Sequence, residues 1–144
     1  MCIVLKNIQR YNTFMSTNVK TTSKPEIRIS SMLAQIQQPA RIQILLIIGK
    51  RETCVCHIEA IIGIRQATIS QHLMSLRKAG LVSTRRDGRH IYYRLTNPEI
   101  IELLDHLARI VEISPEELDY LSLKPFPGCN CPQCNPDPDR KFIC

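Results

Sequence analysis

Residues 67–95, ATISQHLMSLRKAGLVSTRRDGRHIYYRL, restrict what this chain can fold into more than any other stretch. Ile69, Leu73 and Leu76 fall at i, i+4 and i+7, one stripe of a helix that Gly80 closes. With that stripe turned to a core, Thr68, Ser70, Gln71, His72 and Ser75 take the outer face, which then displays hydrogen-bonding side chains. Two β-prone runs follow on either side of Asp87-Gly88, a pair suited to a tight hairpin turn because both residues accept positive φ. Upstream, CVCHIEAII reads as a shorter helix stopped at Gly63. Two short helices across a glycine turn, then a hairpin tipped with arginine, make a helix-turn-helix with a wing. A helix of this kind fits the major groove and offers side chains to base edges while arginines hold phosphates.

Charge is distributed to match. The chain of 144 residues has a net charge of +6. Residues 63–94 hold seven basic residues against Asp87 alone, a net of +6, whereas residues 99–122 hold seven acids against Arg109, a net of −6. One segment is built to face a polyanion and the other is not.

The core has to come mainly from Ile and Leu, because Trp is absent and aromatic residues make up only 5% of the chain. That favours helices packed on helices, so the expected fold class is mainly α with a β-hairpin wing, in one domain with tails. Residues 1–25, polar and without periodicity, read as a flexible arm that contains a second possible start at Met15. Residues 26–123 carry the domain. A helix with Ile29, Met32, Leu33 and Ile36 runs to Pro39, and another with Ile42, Leu45, Leu46, Ile47 and Ile48 runs to Gly49. After the hairpin, Asn97-Pro98-Glu99 and Ser114-Pro115-Glu116-Glu117 each give a helix-start signal. Residues 124–144, rich in Pro and Cys, form an irregular tail. No secretory leader or membrane-length apolar run is visible, so a cytoplasmic location is expected, where clustered thiols point to metal or redox chemistry more than to disulfides.

The 67–95 run resembles the winged-helix signature of the ArsR/SmtB metalloregulatory repressors, and CVCH resembles the cysteine box at the start of the preceding helix. The resemblance covers residues 26–111. It implies a homodimer joined through its first and last long helices and bound to double-stranded operator DNA, with release when an inducer binds, and no enzymatic activity. By the same resemblance Gln66, Thr68, Ser70, Gln71 and His72 carry over as groove-facing residues, and Arg85, Arg86 and Arg89 as wing contacts to phosphate.

Cys54 and Cys56 are the candidate inducer ligands. In a regular helix their side chains would diverge by roughly 200°, so joint ligation requires Cys54 to precede the helix or sit at its end. The family's three-thiol arsenite pattern places another Cys where this chain has Glu59, so further ligands must come from elsewhere. Cys129, Cys131 and Cys134, in the run CNCPQC, combine CxC with a CxxC knuckle suited to a tetrahedral thiolate site, and Cys2 on the arm is the alternative donor. Sulfur ligands select thiophilic ions such as Cd(II), Pb(II), Zn(II), Cu(I) or As(III) over Mg or Ca. The family's second metal site, in the last helix, is not expected, because Asp105 and His106 are adjacent and diverge on a helix. Two alternatives stay open: a purely structural zinc tail that leaves Cys54 and Cys56 out, and a thiol redox switch. A thiol-disulfide enzyme built on CPQC is disfavoured, since redox enzymes place CxxC at a helix start.

Overall fold

A computed structural model describes residues 24–122, 125–129 and 131–135. The arm, with Cys2, and the end of the tail, with Cys144, lie outside the described residues, except that Lys24 and Pro25 of the expected arm are described and Pro25 already opens a helix. The chain divides into two compact units, one ending at Gln35 and one beginning at Ile36. The first contains all but the last residue of α1 (Pro25–Ile36), whose Ile29 and Leu33 are exposed.

The second unit begins with α2 (Pro39–Ile48), where proline at the first position removes only an N–H that no helical carbonyl could have accepted. Ile44, Leu45, Ile47 and Ile48 are buried, and α2 is the central element, touching α4, α5, β3 and the short 3-10 turn near the end of the unit. Strand β1 (Glu52–Cys54) leads straight into α3 (Val55–Ile62), and Gly63 ends that helix in the left-handed conformation, φ 74°. Helix α4 (Gln66–Lys78) buries Ile69, Leu73 and Leu76, the stripe read from the sequence. Strands β2 (Val82–Asp87) and β3 (His90–Leu95) form the hairpin, followed by α5 (Glu99–Ile110), the single turn α6 (Pro115–Leu118) and a 3-10 turn (Asp119–Ser122).

The structure departs from the sequence reading in three places. Strand β1 was not expected: three residues are too few to show an alternation, and they become a strand because β3 offers an edge. The sheet order is β1-β3-β2, with Cys54 opposite Tyr92 and Glu52 opposite Arg94. The hairpin turn is displaced by one residue, because Asp87 pairs with His90 and leaves Gly88 and Arg89 as the loop. Only Gly88 has positive φ there, 56°. Finally, the start signal at Ser114 opens only the single turn α6, and the chain continues as a 3-10 turn rather than as α-helix. The start signals act as read: Asn97 Oδ1 accepts the Glu99 N–H at 3.0 Å, and Ser114 and Glu117 form a reciprocal capping box. Among the described residues no helix is long and apolar enough to cross a membrane.

Candidate metal centre and nucleic-acid interface

Cys54 is the last residue of β1 and the residue before α3, with extended backbone at φ −90° and ψ 162°. That extended backbone, in place of a helical turn, removes the divergence a regular helix would impose. The Cys54 and Cys56 Sγ atoms lie 2.9 Å apart, as thiols rather than a disulfide. Cys54 is 2% exposed, sealed beneath Tyr92 and the tail.

The tail crosses this corner as a tight knuckle. The Cys129 N–H donates to the Phe126 carbonyl at 3.0 Å, and the Cys134 and Asn135 N–H groups donate to the Cys131 carbonyl at 3.0 and 2.9 Å. The Asn135 side-chain amide closes the loop onto the Cys129 carbonyl at 2.5 Å. Backbone N–H groups also point at sulfur: that of Cys131 at Cys129 Sγ, 3.4 Å, and that of Phe126 at Cys134 Sγ, 3.5 Å. Amide donors aimed at sulfur favour its ionised form. Cys129, Cys131 and Cys134 are all buried against Cys54, with Cys56, Ala60 and Phe126 packed around them.

Two ligand sets emerge, with the donor atoms in each set within 4.8 Å of one another. One is His57, Cys129, Cys131 and Cys134; the other is Cys54, Cys56 and Cys129. Tetrahedral bonds of ~2.3 Å to sulfur and ~2.0 Å to nitrogen place donor atoms roughly 3.5–4 Å apart, so this spacing and this soft donor set fit a thiophilic ion.

Cys131 is the electrostatic centre of the group. Its thiol is held far below the usual range, chiefly by hydrogen bonding with Cys54 and then with Cys56. Its neighbours resist ionisation. Cys54 is pushed up to about 12, chiefly because its thiol donates to Cys131. Burial pushes Cys129 and Cys134 up. Tyr92, desolvated over the cluster, is raised to about 12. A thiol cluster of this kind gives up its remaining protons readily only to a cation that replaces them.

His57 is the residue that sequence reasoning missed. It is 1% exposed, its Nδ1 lies 3.1 Å from Cys134 Sγ, and its ring meets Phe126 edge-on. Near the cysteine pair, the position where the family's three-thiol pattern has its next cysteine is Glu59. Helical spacing does not single His57 out, because Cys54 stands outside α3 in extended backbone and it is Glu59 that lies at i+3 from Cys56.

The candidate DNA-facing residues lie where helix and hairpin are most open. Gln66, Thr68 and Gln71 of α4 are exposed, while Ser70 and His72 are half-buried. Arg85, Arg86 and Arg89 are exposed on the hairpin, but they are not equivalent. Arg85 is engaged within the protein, binding Glu52 through Nη2 at 2.6 Å and Nε at 3.1 Å and Asp87 through Nη1 at 3.1 Å. Its guanidinium also lies 5.0 Å from the centre of the Tyr92 ring. Arg86 Nε donates to the Gly88 carbonyl at 3.2 Å, bracing the turn. In the last helix, His106 Nδ1 contacts the Glu102 carbonyl at 2.6 Å on the exposed face.

Residues 38–84 match the family model described as "Bacterial regulatory protein, arsR family". The chain is 36% identical over 94 residues to the biofilm growth-associated repressor of Agrobacterium fabrum, covering 65% of this chain and 80% of that protein. It is 39% identical over 81 residues to the arsenic resistance transcriptional regulator ArsR1 of Pseudomonas putida, covering 56% and 62% respectively. The crystal structure of NolR from Sinorhizobium fredii superposes with a TM-score of 0.56 at 31% identity, over 65% of this chain and 99% of that one.

Proposed function

The chain belongs to the ArsR family of bacterial regulatory proteins, with a winged-helix fold, and from that premise we propose that it is a repressor whose hold on operator DNA is controlled by a thiophilic metal or metalloid ion. The observation that carries this reading is the meeting of Cys54 and Cys56 with Cys129, Cys131 and Cys134 at the mouth of the helix leading into the reading helix. One relative, ArsR1, is named for arsenic resistance, and the donor set here is of the soft kind such ions select.

DNA binding falls to α4, whose Gln66, Thr68, Ser70, Gln71 and His72 face the groove, and to Arg86 and Arg89 on the wing. Arg85 joins them less directly, since Glu52 and Asp87 compete for its guanidinium. The protein acts as a homodimer. The apolar residues left exposed on α5 and just beyond it, Leu107, Ile110 and Val111, supply a face for a second copy, as do Ile29 and Leu33 on α1.

The coupling path is short. Cys54 pairs with Tyr92 across β1 and β3, and Glu52 of the same strand grips Arg85 of the wing. Helix α3, which carries Cys56 and His57, packs on α4. A bound ion would supply a fixed point joining tail, strand and helix. These residues then hold the two reading elements in one spacing, and the operator is disfavoured if that spacing differs from the one it needs.

The test is metal titration of the operator-bound protein, with and without residues 125–144. Since coupling free energies run about 1–3 kcal/mol, Cd(II) should weaken operator binding by roughly 5- to 150-fold in the full chain, and the truncated chain should be insensitive. Equal release from the truncated chain would remove the tail from the sensor. A structural zinc tail predicts instead that Cys54→Ser with Cys56→Ser changes nothing in the metal response.

A further inference from the structure

Six soft donors converge at this corner, two more than one tetrahedral ion can use. They fall into two sets that have Cys129 in common. His57 supplies an independent observation. Its ring is buried, one nitrogen faces Cys134, and Nε2 has no hydrogen-bond partner, so the residue is not explained as a satisfied core polar group. Its Nδ1 contact is with the knuckle.

Resting on the metal-responsive reading above, we propose that the protein holds a two-ion sulfur centre, with one ion bound by His57, Cys129, Cys131 and Cys134, a second by Cys54, Cys56 and Cys129, and the Cys129 thiolate shared between them.

Charge permits a second ion. Each thiol that binds gives its proton to solvent. One divalent ion held by His57 and three thiolates carries a formal charge of −1, and a second divalent ion that shares Cys129 and adds two thiolates leaves the total at −1, so the second ion adds no net charge to the buried site. The two sets differ in character. The four-donor set, with its imidazole, suits a tetrahedral borderline ion such as Zn(II). The three-thiolate set suits a pyramidal ion such as As(III) or Pb(II), so the tail knuckle would be a resident clasp and the Cys54–Cys56 side the place where an inducer arrives.

The experiment is Cd(II) titration of the reduced full-length chain, with ions per chain counted by native mass spectrometry and each site followed by 113Cd resonance. Two ions per chain are expected. Cys54→Ser with Cys56→Ser should leave one ion and retain its nitrogen-ligated resonance. His57→Gln should weaken one ion by more than about tenfold and leave the other unchanged. Cys129→Ser should weaken both. Saturation at one ion per chain, or a His57→Gln change that moves both resonances alike or neither, overturns the proposal. Circular dichroism of each metal-free variant separates ligand loss from misfolding. Operator release measured in parallel keeps the two readings apart: one ion with release intact defeats only the two-ion centre, and two ions without release defeat only the sensing function.

Discussion

The reading head and the sulfur centre are built in opposite ways. Helix α4 and its wing come from one continuous run, residues 66–95, and hold their shape through neighbours: an apolar stripe, a hairpin register and a two-residue turn. The sulfur centre joins residues as far apart in sequence as His57 and Cys134 and is buried almost completely. One presents polar groups to a large external partner. The other withdraws polarizable groups from water, an arrangement that on the proposed reading serves a small thiophilic cation. An exposed reader tolerates single changes because its contacts are many and solvated. A buried centre does not, because each donor lost leaves its neighbours with no alternative partner.

The contrast breaks most readily at the stripe beneath the reader. Leu73 is fully buried, and Leu73→Ala should destabilise the fold by about 2–5 kcal/mol, read as a lower midpoint in urea with an unchanged slope. Operator affinity should fall with the folded fraction and recover on cooling toward maximum stability. Surviving stability with lost DNA binding would mean that α4 is held by something other than this stripe.

A smaller effect sharpens the difference among the wing arginines. Arg89→Ala should lower affinity for operator and random DNA alike and reduce the salt slope by about one. Arg85→Ala should reduce it by less, since that guanidinium already faces Glu52 and Asp87. Equal slopes for the two variants would show that DNA displaces the internal carboxylates.

The smallest expected effect is at the bridge between the two regions. The Arg85 guanidinium holds the Glu52 carboxyl below its ordinary value of 4.5. A depressed carboxylate contributes its stability above the unfolded value, and that contribution is lost as pH falls through the folded one. The grip of β1 on the wing should therefore persist through neutral pH and weaken only in acid below about 4.5. Following the Glu52 carboxyl by NMR should show this, with Arg85→Ala restoring an ordinary titration.

Most of the reader was legible from the sequence because its determinants are local. The periodicity of Ile69, Leu73 and Leu76 specified the buried face, and the Asn97 and Ser114 start signals marked later helices correctly. The turn was misplaced by one residue, since Asp87-Gly88 and Gly88-Arg89 both contain the one glycine that the loop requires, and only cross-strand register distinguishes them. Strand β1 was hidden because it exists only by pairing with a distant edge.

For the site, the sequence alone determined the supply: two cysteines at a helix mouth, three in a proline-rich tail, a missing thiol at Glu59, and the need for Cys54 to stand outside the helix. Tertiary structure decided the grouping. It placed the tail rather than any other described segment over Cys54, added His57 from α3, and drew Arg85 inward to Glu52. Spacing along the chain sets how residues are displayed over one or two turns. Which buried donors share a few ångströms depends on how the whole unit closes around them.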